Sequence, residues 1–147
     1  GFSGNGRLET EVVEFIAEID AAVYVIDCLP NLSAEQVTAR TGPCVEILRA
    51  AHPDTPILLV EDRSYANAHL LTGKRERNET SRRALRKVYE ELKAAGDKHL
   101  HYLQGEHLLG DDSEGTVDSS HPTDLGFMRQ ASAFAEVLGP ILPRRVK

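Results

Sequence analysis

Apolar residues recur along the chain in two alternating rhythms. Leu8, Val12, Phe15, Ile16 and Ile19 fall at helical spacing with Glu9, Glu11, Glu14 and Glu18 between them, which predicts an amphipathic helix over residues 8–19. The apolar, β-branched run at 22–26 then reads as a strand buried on both faces, as in parallel sheets. It feeds the loop Asp27-Cys28-Leu29-Pro30-Asn31. Ser33 caps the next helix, with Gln36 at the reciprocal capping-box position. Gly42-Pro43 predicts a kink or short break, after which a second helical segment covers 44–51. A proline-rich turn at 52–56 leads to a second strand at 57–60, ending in Glu61-Asp62-Arg63.

A polar loop is expected over 64–77, followed by a helix over 79–95 with Leu85, Val88, Tyr89 and Leu92 on one side and Gly96 as its stop. Residues 100–103 form a third strand, and a glycine-punctuated loop over 104–117 leads to Asp118. The last helix opens at Pro122, which suits the first helical position because only an otherwise unpaired N–H is missing there. Leu125, Met128, Ala131, Phe134, Ala135 and Leu138 mark its apolar face. Strands alternating with helices predict a three-layer α/β domain, a parallel sheet with helices on both faces. Right-handed crossovers put the loops after the strands along one edge, where such folds place their sites.

Composition narrows this picture. A chain of 147 residues, 41% hydrophobic and 27% charged, is one ordinary domain with enough length for a core. A net charge of -6 argues against nucleic acid as a partner. Lys74-Arg75-Glu76-Arg77 and Arg82-Arg83 have acids interleaved among them and read as a solvated helix face. Cys28 and Cys44 are too few for a disulfide framework and read as small buried hydrophobes. No apolar run approaches the ~20 residues that span a bilayer, so no membrane partner is expected. The opening Gly1-Phe2-Ser3-Gly4-Asn5-Gly6 has turn chemistry and runs at once into a helix, as if the chain began in mid-fold.

Candidate chemistry gathers in Asp118-Ser119-Ser120-His121. A carboxylate three residues before an imidazole, in a turn opening a helix, supplies the base and orienter of a Ser-His-Asp device. Its structural alternative is a polar turn with Asp118 as a local cap. Ser3 lies one position off the G-x-S-x-G nucleophile elbow and is a rival nucleophile, without the preceding strand an elbow needs. His99, His101 and His107 lack zinc-ligand spacing and read as structural or exposed. Asp27 and Asp62 end successive strands, as in a receiver-like phosphoacceptor pocket, although Gln104 follows the third strand where that pocket has a lysine. Glu61, Asp62 and Arg63 either brace the site or form a salt-bridged strand end.

Ser3-Gly4-Asn5, the Asn31 loop and Asp118-x-x-His121 together resemble the SGNH/GDSL hydrolase superfamily, most closely a GDSL-like acylhydrolase branch with GFSGNG and DCLPN segments. The likeness runs over essentially the whole chain. It implies a flavodoxin-like fold and a serine esterase, lipase or acyltransferase that needs no metal or organic cofactor. By position, Gly4 would give its backbone N–H and Asn31 its side-chain amide to the oxyanion, with His121 as base and Asp118 as its orienter. The block carrying the nucleophile, G-D-S or G-T-S after the first strand, has no counterpart here. Residues 1–147 are therefore expected to be one domain incomplete at its N-terminus, without the first strand and its serine, inactive alone, and able to associate with that segment or with itself. The asparagine also departs from the common G-x-N-D, standing in Leu29-Pro30-Asn31-Leu32. Relatives of this type suggest a small ester, such as an acylated carbohydrate, outside the cytoplasm. A non-catalytic α/β binding or receiver-like domain is the alternative from another class.

Overall fold

The structure, a computed structural model, describes residues 4–142. Three strands, β1 (Tyr24–Ile26), β2 (Ile57–Val60) and β3 (Leu100–Leu103), pair in parallel in the order β1-β2-β3. Around them run α1 (Thr10–Ala17), α2 (Ala34–Ala51), α3 (Thr72–Ala94) and α4 (Asp124–Ile141), with a 3₁₀ turn at Leu29–Asn31. The alternation read from the sequence is thus the α/β order observed.

β2 is the axis of the core. Its four residues are fully buried, and because side chains alternate across a sheet they serve two layers. Ile57 and Leu59 join Val13, Val37, Val45, Leu48 and Leu85 from α1, α2 and α3. Leu58 and Val60 face the other way, onto Leu108, Leu109 and the α4 residues Ala133, Phe134, Val137 and Leu138. Three helices therefore cover one face and α4 covers the other.

Several elements depart from the expectations above. β1 is three residues long and is not buried on both faces: Tyr24 is inside, yet Val25 is 38% exposed, since among the described residues β1 has a partner on one side only. α2 runs through Gly42-Pro43 without a break. An interior proline costs ~3 kcal/mol, but Val37, Cys44, Val45 and Leu48 lie buried along one continuous stripe. Each such residue is worth ~1.5–3 kcal/mol, so packing outweighs the proline. The expected capping box is present, with Gln36 N–H on Ser33 Oγ at 3.3 Å and Ser33 N–H on Gln36 Oε1 at 2.9 Å.

α3 begins at Thr72, inside the region expected to be loop. α4 starts after Thr123, whose Oγ accepts from Gly126 N–H at 3.1 Å; Pro122 lies outside the helix, bridged to Thr116. The buried faces of the two outer helices are also rotated from those expected. Val13, Ile16 and Ala17 point inward from α1 while Phe15 and Ile19 are exposed. On α4, Leu125 and Met128 lie outside. An apolar groove of about 710 Å³ remains between Asp27 at the end of β1 and Phe127, Ala131, Phe134 and Leu138 of α4.

The C-terminal end of α2 is held by Arg49, which donates to both Asp97 oxygens at 2.8 and 3.1 Å and to the Thr55 carbonyl at 2.6 Å. Leu48, one residue before it, is wholly buried. Leu48→Ala should destabilise the chain by about 2–5 kcal/mol, read as a lower urea midpoint with an unchanged slope.

Candidate active site

The Asp118–His121 turn is built by its own residues. Asp118 Oδ1 accepts from His121 N–H at 2.8 Å and Ser120 N–H at 3.0 Å, while Oδ2 lies 2.7 Å from His121 Nδ1. Ser119 takes φ 73° between them, the left-handed backbone that such an Asp-closed turn needs. With the carboxylate as acceptor, Nδ1 carries the proton and Nε2 of the neutral ring is an acceptor. The amides and the ring of His121 hold the Asp118 carboxyl well below the usual carboxylate range. Both side chains are more than half exposed, and Nε2 makes no hydrogen bond to another described residue.

The surrounding loop fixes the turn to the fold. Val117 N–H bonds His121 O at 2.9 Å, and Thr123 N–H bonds Gly115 O at 3.0 Å. Gly126, in the first turn of α4, lies so close to Gly115 that an added Cβ would stand 2.1 Å from the Gly115 oxygen. Arg63, just beyond β2, donates its Nε–H to Ser120 O and its Nη2–H to Ser120 Oγ, tying the turn to the central strand.

Asn31 closes the 3₁₀ turn after β1, with Asn31 N–H on Cys28 O at 2.9 Å. Its side-chain amide makes no hydrogen bond to another described residue, and Nδ2 lies along Gly6, 3.7 Å from where a Cβ would be. Gly4 has φ 76°, suited to glycine, and is exposed. Gly4 and Asn31 border one open cleft of about 750 Å³ together with Arg7, Glu35, Glu76 and Arg77. Of the four residues expected to supply the chemistry, the structure pairs Asp118 with His121 and places Gly4 and Asn31 on one cleft. Neither member of the Asp-His pair lines that cleft. Ser3 lies outside the described residues.

Between the two halves sit Glu61 and Asp62, both 2% exposed. Burial alone would raise the Glu61 carboxyl, but bonds from Tyr102 Oη at 2.6 Å, Gly105 N–H at 2.9 Å and Arg86 at 2.7 Å bring it below its ordinary value. Asp62 is pushed up by burial against the lowering influence of Arg77, Arg63 and Arg82. It accepts from Asn78 Nδ2 at 3.0 Å and lies 3.7 Å from Arg77 Nη1. The basic run read as a solvated face thus turns two members, Arg77 and Arg82, inward. Arg82 lies in the helix expected over 79–95, whereas Arg77 lies in the first turns of α3, within the stretch expected to be loop.

The sequence also gave no sign that His107 forms a second pair, its Nδ1 2.8 Å from Asp111 Oδ1, which raises the imidazole above its ordinary value. That pair is exposed and separate from the cleft holding Asn31. Asp27 accepts from Gln130 Nε2 at 3.3 Å, and burial pushes its carboxyl up. Cys28 and Cys44 are free, and burial pushes both thiols up to about 12, so they are thiols rather than nucleophiles. No group of three or more metal-ligating side chains comes together among the described residues.

The sequence profile of the GDSL-like Lipase/Acylhydrolase family matches residues 1–139. The chain belongs to this family. None of the curated proteins matches it. Among solved structures, it is similar to a protein from Bacteroides ovatus described as a GDSL-like lipase, with 37% identity and a TM-score of 0.87 over 92% of this chain. A salicylyl-acyltransferase from a tetracycline biosynthetic pathway shares the fold at 21% identity, with a TM-score of 0.76 over 93% of this chain. This GDSL-like chain spans 42% of the first structure's length and 43% of the second's.

The site's aspartates should separate on titration by carboxyl ¹³C NMR. Asp118, held down by His121 and Ser120, should protonate below the ordinary Asp value of ~3.9, and Asp27 and Asp62, raised by burial, above it. For a depressed carboxyl the stabilisation is present above the unfolded value and lost as pH falls through the folded one, so the turn should persist until strong acid. An Asp118 that titrates normally would mean these bonds do not hold in solution.

Proposed function

We propose that this chain supplies the base, its orienter and the oxyanion donors of a serine ester hydrolase acting on a small ester. The observation that carries the reading is the His121–Asp118 pair, in which Asp118 Oδ2 lies 2.7 Å from Nδ1 and Nε2 makes no hydrogen bond to another described residue. In the first step a serine Oγ attacks the ester carbonyl carbon and gives its proton to His121 Nε2. The carbonyl oxygen becomes an oxyanion, which Gly4 N–H and the Asn31 amide stabilise. Collapse breaks the ester C–O bond, and the imidazolium returns the proton to the departing alcohol. Water then attacks the acyl-serine with His121 as base, releasing acid and serine.

The serine is assigned to a segment upstream of Gly1, on a strand that pairs with the open side of β1. The partial exposure of Val25 and the apolar groove between Asp27 and α4 support that placement. Exposed Phe15, Ile19, Phe127 and Met128 favour self-association when the segment is absent. An acyltransferase would share every step up to the acyl-serine and hand the acyl group to an alcohol in place of water.

Residues 1–147 alone should show no turnover of activated esters and no adduct with a serine-directed phosphonate, whereas the full-length protein should be labelled at an upstream serine. A stoichiometric adduct on Ser3 that depends on His121 would transfer the nucleophile's role to Ser3. In the full-length protein, Asn31→Ala should lower kcat by about 10²–10³ with KM little changed. Asp118→Asn keeps the size of the side chain but sets an amide against Nδ1–H, and should cost about 10⁴ in kcat. Wild-type turnover in either variant would remove that residue from the mechanism.

A further inference from the structure

We propose that Arg77 is a positioning residue for the oxyanion donor Asn31, an inference that rests on the ester-hydrolase reading above. Its guanidinium reaches from the second turn of α3 across to the 3₁₀ turn after β1. Nη2 donates to Pro30 O at 2.7 Å and to Leu32 O at 3.2 Å, the carbonyls on either side of Asn31. The turn's own bonds use other oxygens, running from Asn31 N–H to Cys28 O and from Leu32 N–H to Leu29 O. Arg77 therefore adds a second set of restraints, which fixes the rotation of the Asn31 peptide and with it the direction of the free amide.

The guanidinium is itself held. Nη1 donates to Ser81 Oγ at 3.0 Å and lies 3.7 Å from the buried Asp62 carboxylate. Asn78, the next residue of α3, donates from Nδ2 to Asp62 Oδ2 at 3.0 Å and to Arg63 O at 3.0 Å. Since Arg63 grips Ser120, one buried carboxylate references both halves of the site, the Asn31 turn through Arg77 and the His121 turn through Arg63. A planar fork with several fixed donors can bracket two carbonyls and face a carboxylate at once, which a lysine ammonium on its flexible stem does not reproduce. A donor displaced by about 1 Å loses much of its effect on the transition state, with a loss of order 10² in rate.

The test is a double-mutant cycle in the full-length protein, with p-nitrophenyl acetate as substrate. Arg77→Met should lower kcat about 10- to 100-fold and leave KM within about threefold, with Arg77→Lys between it and wild type. In an Asn31→Ala background the same change should cost less than about threefold, because Arg77 acts through the amide already removed. Arg86→Met, which removes a contact to Glu61 and none to the Asn31 turn, should cost the same in both backgrounds. A full, multiplicative loss from Arg77→Met on top of Asn31→Ala would overturn the proposal. If Arg77→Met does not fold, the cycle is run with Arg77→Lys under the same criterion. The ¹⁵N side-chain resonance of Asn31 gives a readout independent of activity: it should move or broaden in the Arg77 variant and stay unchanged in Arg86→Met. An unmoved Asn31 resonance overturns the positioning role. A moved resonance in a protein whose turnover ignores Asn31→Ala supports the positioning role and sinks the ester-hydrolase reading instead.

Discussion

The arrangement depends on two adjacent carboxylates buried where β2 ends. Alternation along the strand sends Glu61 and Asp62 to different surroundings, and each must be satisfied there, because an unpaired buried charge costs several kcal/mol. Glu61 is met by Tyr102, Gly105 and Arg86, which locks β3 and the start of the following loop against β2. Asp62 is met by Asn78 and Arg77, which brings the first turns of α3 over the sheet edge. An added Cβ at Gly105 would stand 2.1 Å from the Asp62 carbonyl, so the two loops touch through backbone. Electrostatic need at this point, rather than apolar burial, sets where the loops of the site lie.

The division of labour follows from that. The turn carrying His121 is locally self-sufficient, since Asp118 accepts two amides and the ring within four residues. The Asn31 turn is not, and is braced from α3 by Arg77. Chemistry of the acyl-transfer kind needs both at once, because a base without a preorganised oxyanion site leaves most of the transition-state charge unstabilised. The chain shares its family with GDSL-like lipases and acylhydrolases, and its α/β fold recurs in a GDSL-like lipase and in an acyltransferase.

Packing also explains where periodicity misled. Along α1 and α4 the apolar residues fall on more of the circumference than the described core covers, so Phe15, Leu125 and Met128 face outward while Val13, Val137 and Leu138 face in. A wide stripe leaves the rotation of a helix undetermined until its neighbour is known. Pro43 misled in the other direction. Its local preference is to break a helix, and the buried stripe on either side overrides it.

Much of the chain was legible from order and chemistry. Three apolar runs separated by helical patterns determine a parallel α/β sheet, since strands covered on both faces need helical crossovers. The Ser33–Gln36 box and the Asp118–His121 pair could be read because each is closed by residues three apart, a distance at which sequence and space coincide. Family blocks brought Gly4 and Asn31 into the same reading, and the fold sets both on one cleft. What only the tertiary structure decided lies at long range. Arg77 and Pro30 are 47 residues apart, and Arg63 and Ser120 are 57 apart. Residues 72–77, expected as loop, show no apolar period, and Arg77, like Asn78 and Arg82 farther along α3, is partnered by carboxylates or carbonyls of other segments. Such partners leave no rhythm in their own segment, so a helix that reads as solvated surface becomes, once folded, the brace between the two halves of the site.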